Sequence, residues 1–244
     1  MMTRVANAVL AAMLVSACDT GRAPFRQLDS TSALVPVNFR SPVGLHAMQG
    51  ARIRDGVARG DLDTVHDGSR ALLQLILSTE QPAPQTTLGE VVAVTRRLEA
   101  TEDLPTAART FAVLAERCGA CHAAFGGPRS LPSATPRDTG GVVGRMRLHQ
   151  WGAARLWEGL VAPSEEAWKS GAAVLADAPL ALQLPARVTD APEIDRLGAF
   201  VHELGLEARA STSPRSRIEV YGQLLTTCSA CHARLGGGPA GPRQ

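Results

Sequence analysis

The chain carries an internal repeat, and that repeat limits the architectures open to it more than any other feature. Placing Leu45-His46 over Leu148-His149, an offset of 103 residues, aligns a long stretch without gaps. Leu45, His46, Ala51, Arg52, Gly56, Gly68 and Leu72 meet identical residues at Leu148, His149, Ala154, Arg155, Gly159, Gly171 and Leu175. Ile53, Asp55 and Val57 meet Leu156, Glu158 and Leu160. Further on, Phe111 and Tyr221 share a position at an offset of 110, so the second copy gains seven residues in between. A chain of 244 residues with such a repeat is two versions of one supersecondary unit.

Each unit reads as four helices. Aromatic residues supply only 4% of the chain, and Ala, Leu and Arg, which favour helices, are abundant. In the first copy Ser41-Pro42 opens helix A, and Asp61 after Gly60 opens helix B. Thr87-Leu88-Gly89-Glu90 has the form of a capping box for helix C, and Asp103 with Pro105 opens helix D, which stops at Gly126-Gly127-Pro128. Ser164, Asp190-Ala191-Pro192-Glu193 and Ser213-Pro214 repeat this punctuation, and the last helix stops at Gly236-Gly237-Gly238-Pro239. The expected fold is all-α, two tandem four-helix bundles over residues 41–128 and 142–238, with a linker at 129–141 and a tail at 239–244.

Four of the five cysteines lie near the ends of the two D helices, in two copies of one motif. They are Cys118-Gly119-Ala120-Cys121-His122 and Cys228-Ser229-Ala230-Cys231-His232. C-x-x-C-H is the attachment signature of c-type haem. Two thiols a turn apart add to the porphyrin vinyl groups, and the adjacent histidine becomes the proximal iron ligand. A thioredoxin-like redox pair would need a βαβ context, and a zinc site from pairs so far apart in sequence is unlike a compact finger. Two short disulfides would suit an oxidising compartment. None of the three accounts for a histidine after both pairs. Two covalently bound haem c groups are therefore expected, on Cys118 and Cys121 with proximal His122, and on Cys228 and Cys231 with proximal His232.

In an up-and-down bundle the start of A lies beside the end of D. Each copy places a histidine there, His46 and His149, and these are the candidate distal iron ligands. Met48 and Met146 stand nearby, but neither is repeated. His66 and His202 read as ordinary partly exposed residues. Gly56/Gly159 and Gly68/Gly171 suggest close helix approach, Arg52 and Arg155 either propionate partners or a solvated face. Trp151, Trp157 and Trp168 read as core or haem-packing residues, with Phe111 and Tyr221 as candidates for a haem wall.

Each half resembles a cytochrome c′-like four-helix bundle, with C-x-x-C-H on the fourth helix and the distal residue on the first. That family often has an apolar residue or methionine at the distal position, whereas the repeated residue here is histidine. The resemblance with this departure implies six-coordinate bis-histidine iron and electron transfer between redox partner proteins. Ligand binding or sensing through a labile distal histidine is the alternative, as is a dihaem peroxidase or reductase. No repeated acid sits beside either proposed iron, so no catalytic residue is expected.

The N-terminus reads as an address. Arg4 precedes a short apolar stretch, and Val15-Ser16-Ala17-Cys18 resembles the lipobox of bacterial lipoproteins. The resemblance implies a signal peptide at 1–17, lipidation at Cys18, a spacer over 18–40 and residence on the periplasmic side of a membrane, inner or outer. The near-neutral formal charge of +2 gives nucleic acid no basis for binding.

Overall fold

The computed structural model describes residues 42–78, 85–127, 132–177 and 190–235. They form eight α-helices: α1 (Pro42–Arg59), α2 (Leu62–Ser78), α3 (Gln85–Glu99), α4 (Leu104–Phe125), α5 (Gly141–Val161), α6 (Glu165–Leu175), α7 (Ala191–Ala210) and α8 (Pro214–Leu235). The described residues include no strand. α8 begins and ends 110 residues after α4, as the repeat requires.

Helix ends follow local side-chain chemistry. Asp61 accepts from the Thr64 amide at 2.9 Å, and Asp103 from the Thr106 amide at 2.8 Å. Ser164 Oγ accepts from Ala167 N at 3.1 Å, and Ser213 Oγ from Ser216 N at 3.1 Å. Each satisfies an amide that the first turn leaves without a partner. Asp190 holds the N-cap position of α7 without a side-chain cap bond. At the far end of α4, Gly126 turns left-handed (φ 76°) and Gly127 N returns to the His122 carbonyl at 2.8 Å. One expected boundary moves: α3 starts at Gln85, so Thr87 lies inside the helix and is not its cap.

The helices follow one another around a closed ring. Each packs on its sequence neighbour, α8 packs back on α1, and α4 and α8 meet across the middle. Within each copy, α1 touches α4 and α5 touches α8 only slightly; closure runs between copies, α4 on α5 and α8 on α1. A single core joins residues of both, including Ile53, Val57, Phe111, Leu114, Leu156, Trp168, Tyr221 and Leu224. Phe111 and Tyr221 are buried in it.

α4 and α8 cross antiparallel. A Cβ at Gly222 would lie 3.2 Å from Arg109 Cα, and Glu116 and Arg117 share a groove with Pro214, Arg215, Ile218 and Glu219. A pseudo-twofold relates the copies about this crossing. Arg54 and Trp157 hold the same position in the repeat, and they stack on each other with the guanidinium 5.1 Å from the ring centroid.

The repeated glycines bring helices together within each copy. A Cβ at Gly68 would meet Ile53 Cγ1 at 2.8 Å, and one at Gly171 would meet the Gly152 carbonyl oxygen at 2.5 Å. α2 and α6 thereby seat closely on α1 and α5.

Candidate functional site

The two C-x-x-C-H motifs occupy the last turns of α4 and α8. Residues three apart on a helix share a face, so Cys118 and Cys121 stand one turn apart, as do Cys228 and Cys231. All four are free thiols. Burial pushes Cys118 and Cys228 up to about 12, and Cys121 and Cys231 are raised by burial too.

Each motif histidine is held by the other copy. His122 Nδ1 lies 2.7 Å from the carbonyl oxygen of Val161, and His232 Nδ1 lies 2.7 Å from that of Ala58. Val161 and Ala58 are equivalent positions at the ends of α5 and α1, where a helix leaves its carbonyls without intrahelical partners. A carbonyl can only accept, so both imidazoles donate from Nδ1, and in the neutral ring the lone pair then stands on Nε2. This is the tautomer in which Nε2 binds metal.

From the crossing, His122 is thirteen residues beyond Arg109 and His232 ten beyond Gly222. At 1.5 Å per residue the two histidines stand about 35 Å apart along the antiparallel pair. The sites lie at opposite ends of α4 and α8.

The starts of the first helices reach the motifs of their own copies. His46 Nε2 is buried with no hydrogen-bond partner among the described residues. Burial lowers the His46 pKa, a hydrogen bond to the Leu75 backbone opposes this, and the charge of His122 lowers it further. In the second copy Met146 packs on a small apolar cluster with Ile194, Leu197, Ala230, Cys231 and Leu235, which brings the start of α5 to the motif of α8. His149, three residues further along α5, is pushed down to about 4 by burial, with Arg145 adding to the effect. Met48 is exposed.

Arg52 and Arg155 diverge despite their shared position. Arg52 reaches Asp67 at 3.6 Å on the surface. Position 67 becomes Ser170 in the second copy, which takes a 3.2 Å bond from Arg155 Nε, and the Arg155 guanidinium turns inward to Glu158. Both partners of that ion pair are about 2% exposed. Arg54, also buried, bonds Asp55 at 2.8 Å. These arginines are engaged in the core, and sequence reading missed the pairs because neither register nor composition reveals which way a side chain turns. Trp157 and Trp168 are core residues, and Trp168 Nε1 donates to the Ala208 carbonyl at 2.8 Å. His66 Nε2 lies 2.8 Å from the Thr101 carbonyl oxygen.

Cys18 and the residues before it lie outside the described residues. No helix among those described is long and apolar enough to cross a membrane. Comparison of the chain with protein-family models, curated proteins and solved structures found no match.

Proposed function

We propose that this chain is a dihaem c-type cytochrome that carries electrons between redox partners, built as two cytochrome c′-like halves. In this reading Cys118, Cys121 and His122 hold one haem, and Cys228, Cys231 and His232 hold the other. His46 and His149 supply the sixth ligands. Lipidation at Cys18 would anchor the protein on the periplasmic side of a bacterial membrane.

The observation that carries the proposal is the pair of equivalent hydrogen bonds from His122 to Val161 and from His232 to Ala58, each 2.7 Å. A metal-binding histidine usually donates its second ring N–H to an oxygen, which fixes the tautomer and raises the basicity of the ligating nitrogen. Both motif histidines do so, and each follows two free thiols on one helical face. The buried, unpartnered Nε2 of His46 is the kind of atom a metal would satisfy. Free thiols, Nδ1-protonated proximal imidazoles and the unpartnered Nε2 of His46 support the donor set of a six-coordinate haem c.

Haem iron, when bound, supplies a one-electron couple. The chain's own contribution is to fix both imidazoles against backbone carbonyls at the helix ends of the other copy. Filled axial positions leave no coordination site for a substrate, which favours carriage over catalysis. Sites at opposite ends of one body give each a separate face for a partner.

The test is the visible spectrum of protein matured in a periplasm, ferric and dithionite-reduced, with and without carbon monoxide. Low-spin spectra that carbon monoxide leaves unchanged, with a carbon monoxide shift appearing in His46→Ala and His149→Ala, support the reading. A high-spin component or a carbon monoxide shift in the unaltered protein would replace carriage with ligand binding or catalysis.

A further inference from the structure

We propose that Gly119 is a positioning residue: its missing side chain lets the end of α5 reach His122 and so sets the proximal ligand of the first haem. The inference rests on the haem reading above and goes beyond it, since nothing in C-x-x-C-H requires glycine between the cysteines.

A Cβ at position 119 would lie 1.9 Å from the Leu160 carbonyl oxygen, 3.1 Å from its carbon and 3.3 Å from Pro163 Cγ. The nearest obstacle is backbone, so no side-chain rotation relieves it. The next carbonyl along, that of Val161, is the one that accepts from His122. Any residue larger than glycine must therefore push away the same helix end that holds the histidine. Restoring a tolerable contact of about 3 Å needs a shift of roughly 1 Å, which carries a 2.7 Å bond past the limit of an effective hydrogen bond.

The second site solves the same problem with the residues exchanged. The equivalent of Gly119 is Ser229, and the equivalent of Pro163 is Gly60. Gly60 is left-handed (φ 78°), a conformation that favours glycine, and a Cβ there would lie 3.3 Å from Ser229 Oγ. At one site glycine on α4 faces proline after α5; at the other, serine on α8 faces glycine after α1. A glycine thus stands on one side of the facing pair at each site.

The consequence is electronic. Donation from Nδ1 makes Nε2 more basic and stabilises the more positive oxidation state of a bound iron. Losing the bond at His122 raises the potential of that haem alone.

The experiment is a redox titration, followed by visible absorption, of fully haem-loaded wild type and Gly119→Ala. The alanine variant keeps the attachment motif intact. One of two waves should move to higher potential in Gly119→Ala, the other staying in place. Unmoved waves in fully loaded Gly119→Ala, even with a lowered Tm, would show a packing role only and overturn the proposal. Should Gly119→Ala not mature, proton–nitrogen NMR of the ferrous wild type decides. Slow solvent exchange of the His122 Nδ1–H supports the proposal, and exchange as fast as a free imidazole's overturns it. A wild-type chain without covalent haem would remove the functional reading and this inference together.

Discussion

His232 Nδ1 lies 2.7 Å from the carbonyl oxygen of Ala58, a residue 174 positions earlier in the chain. With its counterpart between His122 and Val161, this bond ties the motif end of each copy to the first helix of the other. α1 thus runs from the neighbourhood of His122, where His46 sits, to the motif of the second copy. Neither site is complete within one repeat.

A shared core and shared sites imply shared unfolding. Differential scanning calorimetry of the holoprotein should give one transition, with calorimetric and van't Hoff enthalpies in agreement. Cys231→Ala should lower that single Tm. Two resolved transitions, only one of them sensitive to Cys231→Ala, would show that the copies unfold independently.

The two equivalent arginines should differ sharply in their contribution to stability. Removing one partner from a buried ion pair leaves an uncompensated charge and costs about 3–5 kcal/mol, so Arg155→Ala is expected in that range. Arg52 is 41% exposed, and its pair with Asp67 is worth about 1 kcal/mol or less. Urea unfolding of the two variants checks the contrast; similar losses at both positions would contradict it.

That contrast also marks how far sequence reading reaches. The repeat, the four helices per copy and most helix ends were legible because caps such as Asp61, Asp103, Ser164 and Gly126 act within a few residues of themselves. The motifs were legible for the same reason. Which helix closes against α4 was not, since an apolar stripe has the same period whether it faces α1 or α5. The acceptors of the motif histidines are backbone atoms of Ala58 and Val161, and no side chain announces them. Arg155 turns inward because Ser170 replaces the aspartate that holds Arg52 outward, a single change whose effect depends on the packing around it.

Tyr221 is fully buried in the core, and its hydroxyl has no partner among the described residues. Burial raises its pKa well above the ordinary phenol value. An unsatisfied buried hydroxyl is destabilising, so Tyr221→Phe should be neutral or stabilise by up to about 1 kcal/mol. A loss of more than about 1 kcal/mol in the same urea assay would mean the hydroxyl is satisfied in solution, for instance by a buried water.

Acid sensitivity should come in part from the α4 cap. The bond from the Thr106 backbone amide holds the Asp103 carboxyl below its ordinary range. A carboxyl with a folded pKa below its unfolded value stabilises above about pH 4 and loses that contribution as pH falls through the folded value. Wild type should therefore exceed Asp103→Asn in Tm near neutrality, with the gap closing as pH falls below the ordinary carboxylate range. A gap that does not change with pH would assign the effect to something other than this carboxylate.

The central claim is that both motifs carry covalent haem, and the intact mass of the mature protein, read together with its pyridine haemochrome, tests it most directly. Produced with a cytochrome c maturation system, the chain should carry two haems, and the paired replacements Cys118→Ala with Cys121→Ala, or Cys228→Ala with Cys231→Ala, should leave one each. A mature chain without haem mass, whose four motif cysteines all remain open to alkylation, would contradict the account.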